Sequence, residues 1–553
     1  MECSSSWPSW RRRGTRRPIP IVACVLAATA VLLTAAEPRP RLIVLLVVDQ
    51  MRADYVDRFM ARWSSGFPRL VNGGAWFAQA AYPYMETFTC AGHATIATGA
   101  LPLEHGIFQN SWYDRSRGSV VVCADDRSAQ PVQYSPSSGR DQRGPDALRL
   151  PTLADAMRGN GSRVVSLALK ARSAIMLAGH GGTAVTWRSE SLDTWETSTA
   201  FSPNPVPEVS TYVEAHPIRA DFGKAWTRLL APTAYTGTDA DAAEKPPKGW
   251  STSFPHMLSG AAGEPPAGYA YTFQWERSPY ADAYIARMAA ALAANLRLGQ
   301  GSTPDLLAVS FSSPDLVGHA FGPRSHELQD MYFQLDRTIG RLLTDLDNLV
   351  GPDAYTLALT SDHGVEEIPE HVIAEGGDAG RLDARKVQDT IEVAAARALG
   401  PGSHVARVNA NDVYLKPGIY EKLAAAPGAL DTVRGALTRM PGVAAVFTRG
   451  ELDRGASSSD AGLRAAALSY VADRSGDLVV STKPGWLFTV ENASHGSNRL
   501  EDRRVPIVLF GRGVKPGRYE QPVSPADVAP TLAAIVGVDL THASGRVLRE
   551  AMR

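Results

Sequence analysis

Apolar positions along this chain fall into two kinds of run. Short, continuous, β-branched runs recur at 42–48 (LIVLLVV), 163–169 (RVVSLAL), 306–311 (LLAVSF), 355–360 (YTLALT) and 505–510 (VPIVLF). A strand with one wet face alternates; a continuous run fits a strand buried on both faces, as in a parallel sheet between helices. Between these runs apolar residues step by threes and fours. The clearest case is 326–348, where Met331, Leu335, Ile339, Leu342 and Leu346 share one face and Ser325 stands ready as N-cap. Strand–helix alternation predicts an α/β fold: a doubly wound, mostly parallel central sheet flanked by helices.

Two stretches break the alternation. Residues 190–275 are rich in Pro, Gly, Ser, Thr and Trp and read as irregular loops and short strands. Residues 386–485 read as a compact α+β insertion: VNANDVYL as a strand, GALDTVRGALTRM as a helix and GVAAVFT as a second strand. Both are expected as cap segments inserted into one catalytic domain spanning 37–553.

The N-terminus has the pattern of a signal peptide over 1–36. Arg11, Arg12, Arg13, Arg16 and Arg17 precede the apolar stretch 19–36, which ends in Thr34-Ala35-Ala36. The mature chain is expected to begin near Glu37, in the periplasm or outside the cell, with no stable membrane span once the leader is removed. An uncleaved anchor is the alternative, although the stretch is short for a bilayer span. Of four cysteines, Cys3 and Cys24 belong to the leader. Cys90 and Cys123 would meet an oxidising compartment, either bridged or as two separate buried thiols.

Composition narrows the class. The chain has 553 residues, 44% hydrophobic and 20% charged, as in an ordinary globular enzyme, and its net charge is −1. No global field would draw nucleic acid, and none is expected as a partner; anion binding must be local.

The chemistry gathers where apolar runs end. Asp49 follows LIVLLVV, Asp315 and His319 follow LLAVSF, and Asp362 and His363 follow TLALTS. Thr89 opens T-C-A-G-H, and His495 opens H-G-S. Open α/β sheets bind ligands outside the carboxyl ends of their strands, so these acids can converge on one crevice. A lone Asp there is more often a helix cap or turn former. Three, with His319 one helical turn after Asp315 and His363 adjacent to Asp362, point to metal. Three carboxylates, three imidazoles and a hydroxyl suffice for two Zn2+ ions with a threonine nucleophile between them. Manganese or iron would accept a similar set.

The motifs V-V-D-Q-M-R, T-C-A-G-H-A-T-I-A-T-G, H-G-I-F-Q-N, S-P-D-L-V-G-H, S-D-H-G and H-G-S resemble those of the alkaline phosphatase superfamily. They fit the branch shared by type I phosphodiesterases/nucleotide pyrophosphatases and the threonine-nucleophile bacterial alkaline phosphatases, over about 42–545. The resemblance implies that Asp49, Asp362 and His363 hold the zinc that activates Thr89. It implies that Asp315, His319 and His495 hold the zinc facing the attacking or leaving group. It makes Thr89 the nucleophile and Asn110 a donor to a phosphate oxygen. Lys170 and Arg172, in S-L-A-L-K-A-R-S-A-I, resemble the pair that the alkaline phosphatases place on the phosphate and that the diesterases lack. Cations at a helix start oppose the helix dipole, which favours an anion partner over a solvated pair.

The expected function is therefore a zinc-dependent phosphatase acting on small-molecule phosphate monoesters through a phosphothreonine. A nucleotide pyrophosphatase/phosphodiesterase and a non-catalytic binding protein on the same scaffold are the rivals. His93 and His105 are expected to shape the turns around Thr89 and Asn110. His180, His216, His256, His326, His371, His404 and His542 are expected at the surface or in loops, and Glu366 and Glu367 in a solvated turn, with a pocket wall as the alternative.

Overall fold

Leu42–Val48 (β1) lies in the middle of the molecule with every side chain buried. The computed structural model describes residue 14 and residues 39–134, 141–189, 194–265 and 268–553. The expected leader, 1–36, lies outside these apart from Gly14, and so do 190–193 and 266–267 of the first expected insertion. Arg39–Arg553 form one compact unit.

The central sheet has ten strands. In chain order they are β1, β2 (Ala75–Phe77), β3 (Pro131–Gln133), β4 (Val164–Ala168), β5 (Ala184–Arg188), β6 (Trp195–Ser198), β7 (Asp305–Phe311), β8 (Tyr355–Thr360), β9 (Ile507–Gly511) and β10 (Gly517–Tyr519). Their order across the sheet is β10-β2-β9-β8-β1-β7-β4-β5-β6-β3. The run from β8 through β1, β7 and β4 to β5 is parallel. β9 is antiparallel to β8 and to β2, and β6 is antiparallel to β5 and β3. The continuous run at 505–510 does form a strand, but not a parallel one. Burial on both faces produces the same apolar run whichever way a strand points.

Five helices position the site: α1 (Thr89–Thr98), α2 (Ala171–Ala178), α3 (Pro279–Asn295), α4 (Ser313–Phe321) and α5 (His326–Val350). Alternate residues of β1 serve opposite layers. Leu42, Val44, Leu46 and Val48 pack with Ile285, Met288 and Leu292 of α3 and with Met331, Leu335 and Ile339 of α5. Ile43, Leu45 and Val47 pack with Ile96 and Ala97 of α1 and with Leu532 and Val536 of a C-terminal helix. Each such fully buried side chain contributes roughly 1.5–3 kcal/mol. Ser325 caps α5 as its sequence position implies, its Oγ accepting from Leu328 N at 3.1 Å.

The connection from β8 to β9 carries a four-stranded sheet, ordered 405–409, 412–415, 478–482 and 443–448 and antiparallel throughout, backed by helices 384–399 and 429–438. It has its own apolar cluster, including Val387, Leu423, Val433, Leu437 and Val480. The segment 199–276 is mostly irregular, with a helix at Pro207–Ala215, a two-residue ladder (Ala225–Trp226 with His256–Met257) and a helix at Tyr269–Glu276. No helix among the described residues is long and apolar enough to cross a membrane.

Candidate active site

The register of β7, β1 and β8 sets Val48 level with Phe311, and Val47 level with Thr360. The three strands therefore end together. Asp49 comes directly after β1, Asp362 two residues after β8, and Asp315 in the first turn of α4; all three are buried. Gln50 turns the chain out of β1 in the left-handed region, with φ 67°. Its backbone N–H donates to Asp362 Oδ1 at 3.1 Å and its side-chain Nε2 to Asp315 Oδ1 at 2.7 Å. One residue thus spaces two carboxylates. α4 makes room for it at Gly318, where a Cβ would stand 1.9 Å from Gln50 Oε1.

Each of the three expected imidazole ligands donates Nδ1–H to a main-chain carbonyl: His319 to Ala493 at 2.7 Å, His363 to Gly364 at 2.9 Å and His495 to Thr87 at 2.7 Å. That leaves Nε2 with a free lone pair turned toward the acids, the orientation typical of histidine ligands. His363 Nε2 is 3.5 Å from both Asp49 Oδ1 and Asp362 Oδ2. His319 Nε2 is 3.1 Å from Asp315 Oδ1, and His495 Nε2 is 3.8 Å from the same oxygen.

Asp49 Oδ1 and Asp362 Oδ2 are buried without a hydrogen-bond donor. Unpaired buried carboxylate oxygens are costly unless a cation meets them. Two groups have ligand atoms within 4.8 Å of one another: Asp49–Asp362–His363 and Asp315–His363–His495. The residues present thus fit two divalent cations bound by His and Asp. The first group matches the expected set. In the second, the His495 ring stacks on His363 at 3.5 Å and lies 5.3 Å from His319, so His363 stands between the two groups.

Thr89 is the first residue of α1, and its Oγ1 lies 3.4 Å from His363 Nε2. Asn110 Oδ1 accepts from Cys90 N at 2.9 Å, which anchors the amide beside Thr89. Cys90 is disulfide-bonded to Cys123, with Cα atoms 6.5 Å apart, so the chain holds the bridge rather than two thiols. Lys170 follows β4, and its Nζ donates to Asp49 Oδ2 at 2.6 Å and to Asp315 Oδ2 at 2.5 Å. Arg172, at the start of α2, lines a cavity of about 390 Å³ together with Thr89, Asn110, Asp315, His319 and His495.

The charges are strongly coupled. Burial, with the fields of Asp315 and Asp362, pushes Asp49 well above the usual carboxylate range, while Lys170 opposes. Burial works the same way on Asp315, but His319 and Lys170 outweigh it and hold that carboxyl well below the usual range. Asp362 is likewise held down, against burial, by His363 and His93. Burial drives His363 and His495 down. His319 goes the other way: against burial, Asp315 and Glu491 push it up to about 9.

Several residues at the site had no marked role in the sequence. Gln50 is one, visible only as the residue after Asp49. For Glu366 the less favoured expectation, a pocket wall, holds: it is 5% exposed, is pushed up to about 7 by burial, and lines the cavity. His256, His326 and His404 are likewise buried rather than exposed. His256 pairs with Glu327 and His404 with Glu392, each at 2.8 Å. His93 does more than shape a turn. It donates Nδ1 to Thr89 O at 2.8 Å and lies 3.2 Å from Asp362 Oδ2, tying the start of α1 to that acid.

Known proteins show the same arrangement of chain. The model of the type I phosphodiesterase / nucleotide pyrophosphatase family matches residues 43–503. Alkaline phosphatase PhoV of Synechococcus elongatus is 31% identical over 526 residues, covering 93% of this chain and 93% of the relative. A Myroides odoratus protein named calcium-transporting ATPase is also 31% identical, over 547 residues, covering 96% and 98%. The crystal structure of wild-type alkaline phosphatase PafA superposes with a TM-score of 0.84 at 28% identity, covering 94% of this chain and 100% of that one. A PafA mutant substituted at a threonine, an asparagine, a lysine and an arginine superposes equally well, with a TM-score of 0.84. This chain belongs to the type I phosphodiesterase / nucleotide pyrophosphatase family, in the company of its alkaline phosphatases.

Proposed function

We propose that the protein is a secreted or periplasmic zinc-dependent alkaline phosphatase that hydrolyses phosphate monoesters through a phosphothreonine. One observation carries the reading. The Thr89 hydroxyl stands at a helix N-terminus beside His363 Nε2 and opens into the cavity that Arg172 and Asn110 line. The PafA mutant altered at a threonine, an asparagine, a lysine and an arginine supports it, since Thr89, Asn110, Lys170 and Arg172 occur in that order here.

Asp49, Asp362 and His363 would hold one zinc, and Asp315, His319 and His495 the other, with His363 near both. Bound there, the pair supplies Lewis-acid stabilisation of the threonine alkoxide and of the leaving oxygen. Thr89 Oγ1 attacks phosphorus, the bond to the leaving oxygen breaks, and that oxygen departs with a proton. Water then attacks the phosphothreonine, returning the Thr89 hydroxyl and releasing inorganic phosphate. The backbone N–H groups at the start of α1 face the anion throughout. Asn110 and Arg172 donate to equatorial oxygens, and the Lys170 ammonium adds positive charge from below. A monoester brings one more negative charge than a diester, and this cationic pair is suited to it. The leader pattern and the Cys90–Cys123 bond support an oxidising compartment; mass spectrometry of the exported protein should find an N-terminus near Glu37.

The deciding experiment compares a monoester and a diester of one leaving group on metal-quantified enzyme. The monoester should be preferred, and Thr89→Ala should abolish turnover of both. Replacing Lys170 and Arg172 with Ala should reduce monoester turnover far more than diester turnover; equal losses would refute the proposed grip. Purified protein without bound metal or phosphate release would favour a binding protein instead.

A further inference from the structure

Arg277 lines the same cavity as Thr89, Asn110 and Arg172, yet none of the steps above uses it. It follows the helix Tyr269–Glu276 and packs against that helix's end. Its Cζ lies 3.3 Å from the Phe273 ring centroid, and its Nη1 donates to Phe273 O at 3.2 Å. An arginine capping a helix end would ordinarily be bland. Three observations set this one apart. The guanidinium is half-buried, and no carboxylate among the described residues lies within ion-pair distance of it. Glu276, its neighbour in sequence, is taken instead by Arg188. Nε and Nη2 have no acceptor among the described residues. The free nitrogens are not among the buried unpaired atoms, so that edge stays open to an anion entering the cavity. Burial pushes Arg277 down to about 10.

The surroundings say which part of a substrate it would meet. Besides adjacent Glu276, the carboxylates whose fields reach Arg277 are Asp315 and Glu491. Glu491 stands 3.3 Å from His319 Nδ1. Arg277 therefore sits on the side of Asp315 and His319, which in the reading above faces the leaving oxygen. Arg172, Asn110 and Lys170 already serve the transferred group. The same cavity is lined by Leu316, Trp486 and Phe488, which offer apolar area to the body of a leaving group.

We propose that Arg277 is a specificity-determining residue, an anion subsite for phosphate monoesters whose leaving group carries a second negative group, a carboxylate or another phosphate. The subsite rests on the phosphatase reading and deepens it. Arg donating to an anion in a partly desolvated cavity discriminates by charge-assisted hydrogen bonds, and Lys at the same place would lose the planar fork.

The test uses full-length, metal-loaded enzyme and three substrates: phenyl phosphate, 4-carboxyphenyl phosphate and 1,4-phenylene bisphosphate. The readout is the ratio of kcat/KM on each anionic substrate to kcat/KM on phenyl phosphate. Arg277→Ala should lower that ratio about tenfold for both, the size of one hydrogen bond to a charged group. A fall for only one identifies carboxylate or phosphate as the favoured substituent. Arg277→Glu should push the ratio lower still and improve turnover of a fourth substrate, 4-(aminomethyl)phenyl phosphate, a gain that misfolding cannot imitate. Equal losses on all three substrates, with weaker inhibition by inorganic phosphate, would overturn the proposal by placing Arg277 on the transferred group. An unchanged ratio would reduce it to a helix cap. Wild-type enzyme inactive on phenyl phosphate would instead remove the phosphatase reading itself, an outcome separate from any change in ratio.

Discussion

The segment 199–276 and the four-stranded unit at 384–482 both interrupt the α/β core, and they are held to it in different ways. Among the described residues the first has no apolar cluster of its own. Trp226, Tyr235, Leu258, Tyr271 and Trp275 pack in the same cluster as β1, α3 and α5. A buried acid pins it: Asp330 on α5 accepts from Trp226 Nε1 at 2.7 Å, from Leu229 N at 2.6 Å and from the Tyr235 hydroxyl, while within the segment Asp221 accepts from Trp275 Nε1 at 2.9 Å. The second carries its own cluster, lends Tyr414 and Val471 to the cluster around α1 and α2 and Val479 to the one around Met85, and meets the site through polar joints. Gln109 Nε2 donates to Asp412 Oδ2 at 2.7 Å and to Glu86 Oε2 at 3.1 Å. Asn411 Nδ2 donates to Gly496 O at 2.6 Å, next to His495. A tryptophan-rich stretch with little regular structure can be ordered only by borrowing a core. A unit that packs itself is free to contribute donors instead. Of the two, the separately folded unit is the one that reaches the cavity, through Asn409, Ala410, Asn411 and Thr482.

The sharpest way to break this contrast is Asp330→Ala. It strands three buried donors at once, at about 1–3 kcal/mol each. The expected loss is on the order of 3 kcal/mol or more in urea unfolding, felt by the whole molecule. A loss below about 1 kcal/mol would mean that apolar contacts alone hold the first segment. Leu423→Ala should cost about 2–4 kcal/mol as a core cavity, but locally. Amide exchange should quicken across 384–482 while β1 and α5 stay protected, and equal quickening in both would merge the two regions into one cooperative unit.

A smaller effect concerns pH. Asp282 on α3 accepts from Ser313 N and Oγ at 3.3 and 3.1 Å, joining the borrowed core to the start of α4. Burial pushes it up to about 7 from 3.8, against those hydrogen bonds. Between these values the unfolded chain is ionised and the folded one is not, so unfolding releases a proton and stability falls as pH rises, by at most about 1.4 kcal/mol per unit. Above the upper value the dependence ends. Asp282→Asn should flatten the slope of urea stability across that window; an unaltered slope would assign it to other groups. Smallest of all, Asn411→Ala should reduce kcat/KM severalfold with little change in melting temperature, since it frees the loop of His495 from the second unit. A large fall in melting temperature would make that joint structural instead.

Much of this arrangement was legible in the sequence because it is local. A buried strand writes a continuous apolar run, and the residue after it is at the sheet's carboxyl edge, so Asp49, Asp315 and Asp362 announce a crevice. The D-x-x-x-H step of Asp315 and His319 is a property of one helical turn. What stayed hidden depends on meetings between distant segments. Gln50 is an ordinary polar residue until a left-handed turn aims it at Asp315. Glu366 and His256 look solvated until Asp502 and Glu327 are found beside them. Arg277 has meaning only once α4 and the loop at 486–491 face it. The direction of β9 was invisible because an apolar run records burial and not polarity.

Gly92 lies in the first turn of α1, where a Cβ would stand 2.2 Å from Asp362 O. The helix that presents Thr89 therefore rests directly on the peptide that presents Asp362, with no side chain between them. The reach from hydroxyl to acid is gauged by main chain against main chain, like two machined faces clamped without a gasket. Rotamer changes elsewhere in the core can alter how tightly the parts are held, but they leave that gauge as it is.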